Sequence, residues 1–175
     1  MANSTIEKEA KMLLTEEEFK ALITKKPFKL ISQDNYYFMD DDNHMFRFRK
    51  NKNGPLIFNH KEKINGITYE YEKEVEDASL DNPYIKDVLK EYNIADFKYI
   101  GTLHTDRYLF KADKGEICLD KNLYNNHLDY EFEYELYNPE DEFDEGISFL
   151  KEINLDYKRN GRGKFRRFLN TLEKQ

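Results

Sequence analysis

Residues 5–14 read Thr5-Ile6-Glu7-Lys8-Glu9-Ala10-Lys11-Met12-Leu13-Leu14, a short apolar-flanked segment with Glu7, Glu9 and Lys11 at every second position. A β-strand sends successive side chains to opposite faces, so as one strand this segment puts all three charges on one side. Two carboxylates beside an ammonium make a sheet face that is expensive to cover with apolar groups. The same face suits a ligand that is itself a metal-bound polyanion.

The device recurs along the chain. Met45-Phe46-Arg47-Phe48-Arg49 places both arginines on one face and both phenylalanines on the other. In residues 56–63, Asn59, Lys61 and Lys63 oppose Leu56 and Phe58. Tyr69 and Tyr71 alternate with Glu70, Glu72 and Glu74. Arg107 shares a face with Thr105, opposite Tyr108 and Phe110, and Asp120 opposes Ile117 and Leu119. Tyr130, Phe132 and Tyr134 alternate with Glu131, Glu133 and Glu135. Any one such strand fits an antiparallel sheet with one wet side. Together they carry more, because several strands bear a single sign of charge and both signs occur. Closing the sheet turns the apolar faces outward against helices and the charged faces into a lumen. Roughly eight strands enclose a small interior. The fold expected is α+β, an antiparallel β-barrel with helices packed outside.

Such a lumen has a chemical use. Arginine and lysine hold phosphate oxygens, arginine with a bidentate fork. Glutamate and aspartate have the wrong sign for phosphate but suit Mg²⁺ or Mn²⁺, hard cations that take oxygen ligands and bridge to phosphates.

Composition narrows the classes. The 175 residues read as one domain, 1–175, large enough for a substantial core. Thirteen Tyr and thirteen Phe argue against disorder, although 36% of residues are charged. A net charge of −7 disfavours a general nucleic-acid binder. No apolar run approaches a membrane span and no signal-like segment opens the chain, so a cytoplasmic protein without a membrane partner is expected. The lone Cys118 excludes an internal disulfide and a cysteine-built zinc site, and reads as a small buried side chain. His44, His60, His104 and His127 show no ligand spacing and read as packed or exposed side chains.

Punctuation sets the elements. Thr15 with Glu18 forms a capping-box signature for a helix to about Lys25, which Pro27 ends. Residues 28–31 and 35–39 are strand material, and Asp40-Asp41-Asp42-Asn43 is a solvated turn without the Ca²⁺-loop spacing. Asn53-Gly54 and Asn65-Gly66 mark hairpins joining the strands at 45–50, 56–63 and 67–75. Asn82-Pro83 caps a helix to about Tyr92. Strands follow at 98–111, 115–120 and 128–137. Asn138-Pro139 opens another helix with acidic first turns, and 163–173 is a basic amphipathic helix.

The ordered set of charges resembles the CYTH superfamily, the triphosphate tunnel metalloenzymes, and especially the small CYTH-domain proteins of low-GC Gram-positive bacteria. Its N-terminal Glu-x-Glu-x-Lys is matched by Glu7, Glu9 and Lys11, its basic pair by Arg47 and Arg49, and its next-strand lysine by Lys61. Glu70 and Glu72, then Arg107, Asp120, Glu131 and Glu133, continue the match in order, and Lys164 with Arg167 complete it. Three departures stand out: Met39-Asp40 follows the tyrosine-rich second-strand motif, Asn59-His60 precedes Lys61, and Gly163 precedes Lys164.

The resemblance implies a closed eight-stranded antiparallel β-barrel, a tunnel that hydrolyses or cyclises a triphosphate with Mg²⁺ or Mn²⁺. It implies Glu7, Glu9, Glu70, Glu72, Asp120, Glu131 and Glu133 as metal ligands. Lys11, Arg47, Arg49, Lys61, Lys63, Arg107, Lys164 and Arg167 would hold phosphates, with Lys11, Lys61 and Tyr37 assisting catalysis. Inorganic triphosphate is the first choice, since phosphate contacts alone suffice, with thiamine or nucleoside triphosphates next. The partner expected is a triphosphate-bearing small molecule, acting on a monomer or homodimer. A class IV-type adenylate cyclase and a non-catalytic polyphosphate or phosphometabolite binder are the rivals.

Overall fold

The computed structural model describes residues 4–173. Thr5–Glu7 forms β1 and Glu9–Leu14 forms β2, followed by helix α1 (Glu16–Leu22). Strands β3 (Lys29–Met39), β4 (Met45–Asn51), β5 (Leu56–Ile64) and β6 (Ile67–Val75) lead to α2 (Pro83–Glu91). Strands β7 (Lys98–Lys111), β8 (Gly115–Tyr124) and β9 (His127–Leu136) lead to α3 (Asp144–Lys151) and α4 (Lys164–Glu173). The strands form one sheet in the order β1-β6-β5-β4-β3-β7-β8-β9-β2. Its first and last strands are separated in sequence by the single residue Lys8. This is a nearly closed antiparallel barrel.

The strand count is nine among the described residues, where the resemblance implied eight. Residues 5–14 are not one strand. The segment breaks at Lys8, because β1 pairs with β6 and β2 with β9. The segments 28–31 and 35–39, in contrast, belong to the single long strand β3.

The chain divides into two compact units, residues up to Glu7 with Gln33–Leu103, and Lys8–Ser32 with His104 onward. In the first unit, Phe46, Phe48, Phe58 and Tyr71 pack with Ile85, Val88 and Leu89 of α2. Phe38 stacks on Phe46 at 5.0 Å. Asn82 caps α2 by accepting the Tyr84 N–H, and Pro83 supplies the fixed φ suited to a first helical position. In the second unit, Phe19 and Leu22 of α1 join Ala10, Met12, Phe132, Tyr134, Phe149 and Leu150 in one core. The capping box is formed: Thr15 Oγ1 accepts Glu18 N–H at 3.1 Å, and Glu18 Oε1 accepts Thr15 N–H at 2.8 Å. These cores hold the apolar faces of the strands, leaving the other faces to the charges.

Two local expectations are corrected. Asn138-Pro139 makes a turn, in which Asn138 Oδ1 accepts the Glu140 N–H at 3.0 Å, and α3 starts only at Asp144. The Asp40 turn is not solvated at its first residue. Asp40 is buried and accepts the backbone N–H groups of Asp42 and His44, with the His44 ring 2.9 Å away.

Candidate active site

Each unit carries its own charged face, set by strand parity and cross-strand register. In the first unit one row runs Tyr37, Arg47, Asn59, Glu72 across β3, β4, β5 and β6. Arg47 is 7% exposed and its Nε has no hydrogen-bond partner among the described residues. Asn59 is buried beside it and donates to Glu72, which is exposed, at 3.3 Å. Arg49 Nε donates to Asn35 Oδ1 at 3.0 Å. Lys61 Nζ donates to Glu7 at 2.7 Å and lies 3.4 Å from Glu70. Burial would raise the Glu70 carboxyl, but Lys61, Arg47 and Arg49 outweigh it and hold the group below its ordinary range. Lys63 stands exposed near the end of β5 and is not brought into this set. Tyr37 is fully buried, one strand from Arg47.

The second unit's face is denser. Asp120, Glu131 and Glu133 are 0%, 2% and 7% exposed. Each offers an oxygen within 4.8 Å of the others. Arg107 grips Asp120 through Nε at 2.9 Å and Nη2 at 2.7 Å, and Nη2 also reaches Glu133 at 2.9 Å. The buried Lys164 ammonium lies 2.7 Å from Asp120, 3.3 Å from Glu133 and 3.5 Å from Glu131. Lys11 pairs with Glu9 at 2.9 Å, and its register partner in β9 is Glu133. Arg167 donates to Asp129 at 2.9 and 3.3 Å, to Glu131 at 2.8 Å and to the Arg162 carbonyl at 2.7 Å.

Burying charge this densely is tolerable only because the signs interleave. Burial works against the charged forms of Asp120 and Glu133. Arg107 and Lys164 beside Asp120, and Lys164, Arg107 and Lys11 beside Glu133, hold both carboxyls low. Burial also opposes the Lys164 ammonium, yet Asp120, Glu133 and Glu131 raise it to about 12. Lys11 is likewise raised, against burial, by Glu133, Glu9 and Glu131. Glu131 goes the other way. Desolvation dominates, Lys164 only partly offsets it, and neighbouring Glu133 adds to it, so its carboxyl is pushed up to about 7. Its Oε1 is buried without a hydrogen-bond partner among the described residues.

An acceptor of this kind fits a divalent cation. So does the all-oxygen donor set of Asp120, Glu131 and Glu133. In the structure the Lys164 ammonium sits among the same three carboxylates, so a metal ion would share or take over its place.

Sequence reasoning passed over Asp129. It lies on the same parity as Glu131, and that signal was available. It anchors a network of Asn122 Nδ2 (2.9 Å), Tyr124 Oη (2.5 Å) and Arg167. Asn122 in turn accepts from Thr105 at 2.7 Å. No alternation rule marks these neutral partners.

An antiparallel barrel whose strands present interleaved buried carboxylates and basic groups is what is expected of a protein of the CYTH class. The CYTH domain matches residues 5–166, and this chain belongs to that family. It is 33% identical over 152 residues to YjbK of Bacillus subtilis (strain 168), provisionally named a triphosphatase, covering 74% of this chain and 77% of that protein. A solved structure from Bacillus halodurans, provisionally named an adenylate cyclase, is 28% identical with a TM-score of 0.80, covering 94% of this chain and 98% of that one. HpAC1 of Hippeastrum, described as an adenylyl cyclase with a dominant triphosphatase activity, shares the fold at 24% identity and a TM-score of 0.74, over 94% and 95% of the two chains. Membership and the YjbK likeness support a role in triphosphate hydrolysis.

Proposed function

We propose that this protein hydrolyses a triphosphate with the help of Mg²⁺ or Mn²⁺, with inorganic triphosphate as the first-choice substrate. The observation that carries the reading is the buried trio Asp120, Glu131 and Glu133, within 4.8 Å of one another and interleaved with Arg107 and Lys164. A binder of phosphate alone has no use for three buried carboxylates.

In this reading Arg47, Arg49 and Lys61 take phosphate oxygens. Arg47 brings a buried Nε donor that no group among the described residues satisfies. Arg107 and Lys164 exchange carboxylate partners for phosphate oxygens as substrate enters. Asp120, Glu131 and Glu133 would then hold the metal, with Glu9 of the same unit as a further carboxylate, while Glu7 in the other unit pairs with Lys61. The bound cation would neutralise phosphate charge and acidify a water. The protein's share is positioning and fixed positive charge where negative charge develops on the leaving phosphate. Arg167 spends its donors on Asp129, Glu131 and a backbone carbonyl, so its role is to seat α4 and not to touch substrate. Lys63, exposed, has no direct part.

The test is release of phosphate from tripolyphosphate with Mg²⁺ or Mn²⁺, with cyclic nucleotide measured in parallel from ATP. Phosphate release that disappears in Glu133→Gln supports the reading. Cyclic nucleotide as the main product would replace it with a cyclase. Tight binding without turnover, unaffected by Glu131→Gln and Glu133→Gln, would make the protein a binder.

A further inference from the structure

The segment between α3 and α4 has no regular structure, yet it delivers Lys164 into the carboxylate trio. What aligns it is Asn160. Its Oδ1 accepts the Leu13 N–H at 2.7 Å and its Nδ2 donates to the Leu13 carbonyl at 3.0 Å, across 147 residues of sequence. β2 is the last strand in the sheet order and pairs with β9. The Asn160 carboxamide thus bonds Leu13 as a neighbouring strand's peptide group would. Two neighbouring features support the seat. The Lys158 N–H points to Met12 Sδ at 3.4 Å. Gly161 lets the backbone pass close, since a Cβ there would lie 2.6 Å from Leu13 Cδ1.

We infer that Asn160 is a positioning residue for the reaction: its two bonds to the Leu13 backbone set the register in which α4 presents Lys164 to Asp120, Glu131 and Glu133. The inference rests on the triphosphatase reading above. Its logic is metric. Only three residues separate Asn160 from Lys164, and one residue of slip along a strand is about 3.3 Å. That equals the whole length of the ion pairs Lys164 makes, 2.7 to 3.5 Å. A latch that fixes both hydrogen bonds at one residue of β2 therefore decides whether the ammonium meets the trio. Arg167 secures the next turn of α4 through Asp129 and Glu131. It also braces the entering loop through the Arg162 carbonyl at 2.7 Å, but that bond ties the loop to α4 itself and does not set its position along β2.

The experiment is a double-mutant cycle on tripolyphosphate turnover with Mg²⁺, using wild type, Asn160→Ala, Lys164→Ala and the pair. Asn160→Ala is expected to lower kcat/KM roughly tenfold in wild type, the size two net hydrogen bonds support, and less than about twofold once Lys164 is gone. Equal losses in both backgrounds, or none in wild type, would overturn the inference. Amide hydrogen exchange supplies a readout independent of activity. In Asn160→Ala the amides of α4 should exchange faster, while those of α1 and β4 keep their wild-type rates. Unchanged exchange in α4 would defeat the latch. A wild-type protein that releases no phosphate would defeat the triphosphatase reading, and the exchange comparison would still decide on Asn160.

Discussion

Two side chains concentrate the tension between folding and function. Among the described residues, the buried Arg47 Nε has no hydrogen-bond partner, and the buried Glu131 Oε1 accepts no hydrogen bond and meets the Lys164 ammonium only at 3.5 Å. A buried polar atom without a hydrogen bond costs about 1–3 kcal/mol, so each of these two atoms is held at a cost to stability. Arg47→Met relieves the unbonded Nε but also removes a charge that holds Glu70 ionised, so its melting temperature should shift little, while Arg47→Ala and Glu9→Ala should each cut triphosphate turnover at least about 100-fold, the usual effect of losing one preorganised charge contact. Calorimetry and phosphate release on the same samples check both halves. For Glu131 the sign can be worked through. Its folded carboxyl titrates near 7, above the ordinary carboxylate value of 4.5. Between those values the folded protein holds a proton that the unfolded chain has released, so this group's contribution to stability falls as pH rises. Glu131→Gln removes that loss. Its melting temperature relative to wild type should be more favourable at pH 8 than at pH 5.5. The opposite ordering would show that desolvation does not govern this carboxyl. Asp129 behaves conversely. Burial opposes its charge, but Arg167 and its hydrogen bonds lower it, so its contribution is lost in acid as pH falls through the folded value.

The elements divide into those that local chemistry announces and those that tertiary partners decide. α1 is announced by its capping box, and Thr15→Ala should cost about 1 kcal/mol in denaturant melts. α3 is decided by packing. Gly146 faces Tyr134 so closely that a Cβ would lie 2.6 Å from the ring. Gly146→Ala should destabilise by about 1–3 kcal/mol through overpacking, despite alanine's better helix propensity. The same division explains what could be read in advance. Strands β4 to β9 follow from alternation of Phe and Tyr with Arg, Lys and Glu. Their charged parity delivers Arg47, Arg107, Asp120, Glu131 and Glu133 without any coordinates. Alternation does not say which neighbour a strand pairs with, so the break at Lys8 was invisible: 5–7 and 9–14 keep one pattern while changing partners. Asn138-Pro139 carries a helix-opening signal, but the Asn138 side chain closes a turn instead. Asn160 gave no local hint, because its partner Leu13 lies at the far end of the sequence.

Among the described residues, nine strands and four helices hold two apolar cores and two charged faces, and the 175-residue chain carries a net charge of −7. An anionic substrate has little reason to approach such a surface unless basic groups wait for it behind the overall field. Tripolyphosphate with Mg²⁺ should raise the melting temperature by binding the folded state only. At about 100 times Kd the gain is about 2.7 kcal/mol, or roughly 5–10 °C for a chain of this size. The most direct measurement is phosphate release from tripolyphosphate by wild type and Glu133→Gln, each with and without divalent metal. The expected result is metal-dependent release by wild type and at least about a 100-fold loss in the variant. Release that continues without metal, or that survives loss of Glu133, would contradict a carboxylate-held cation at the heart of the reaction.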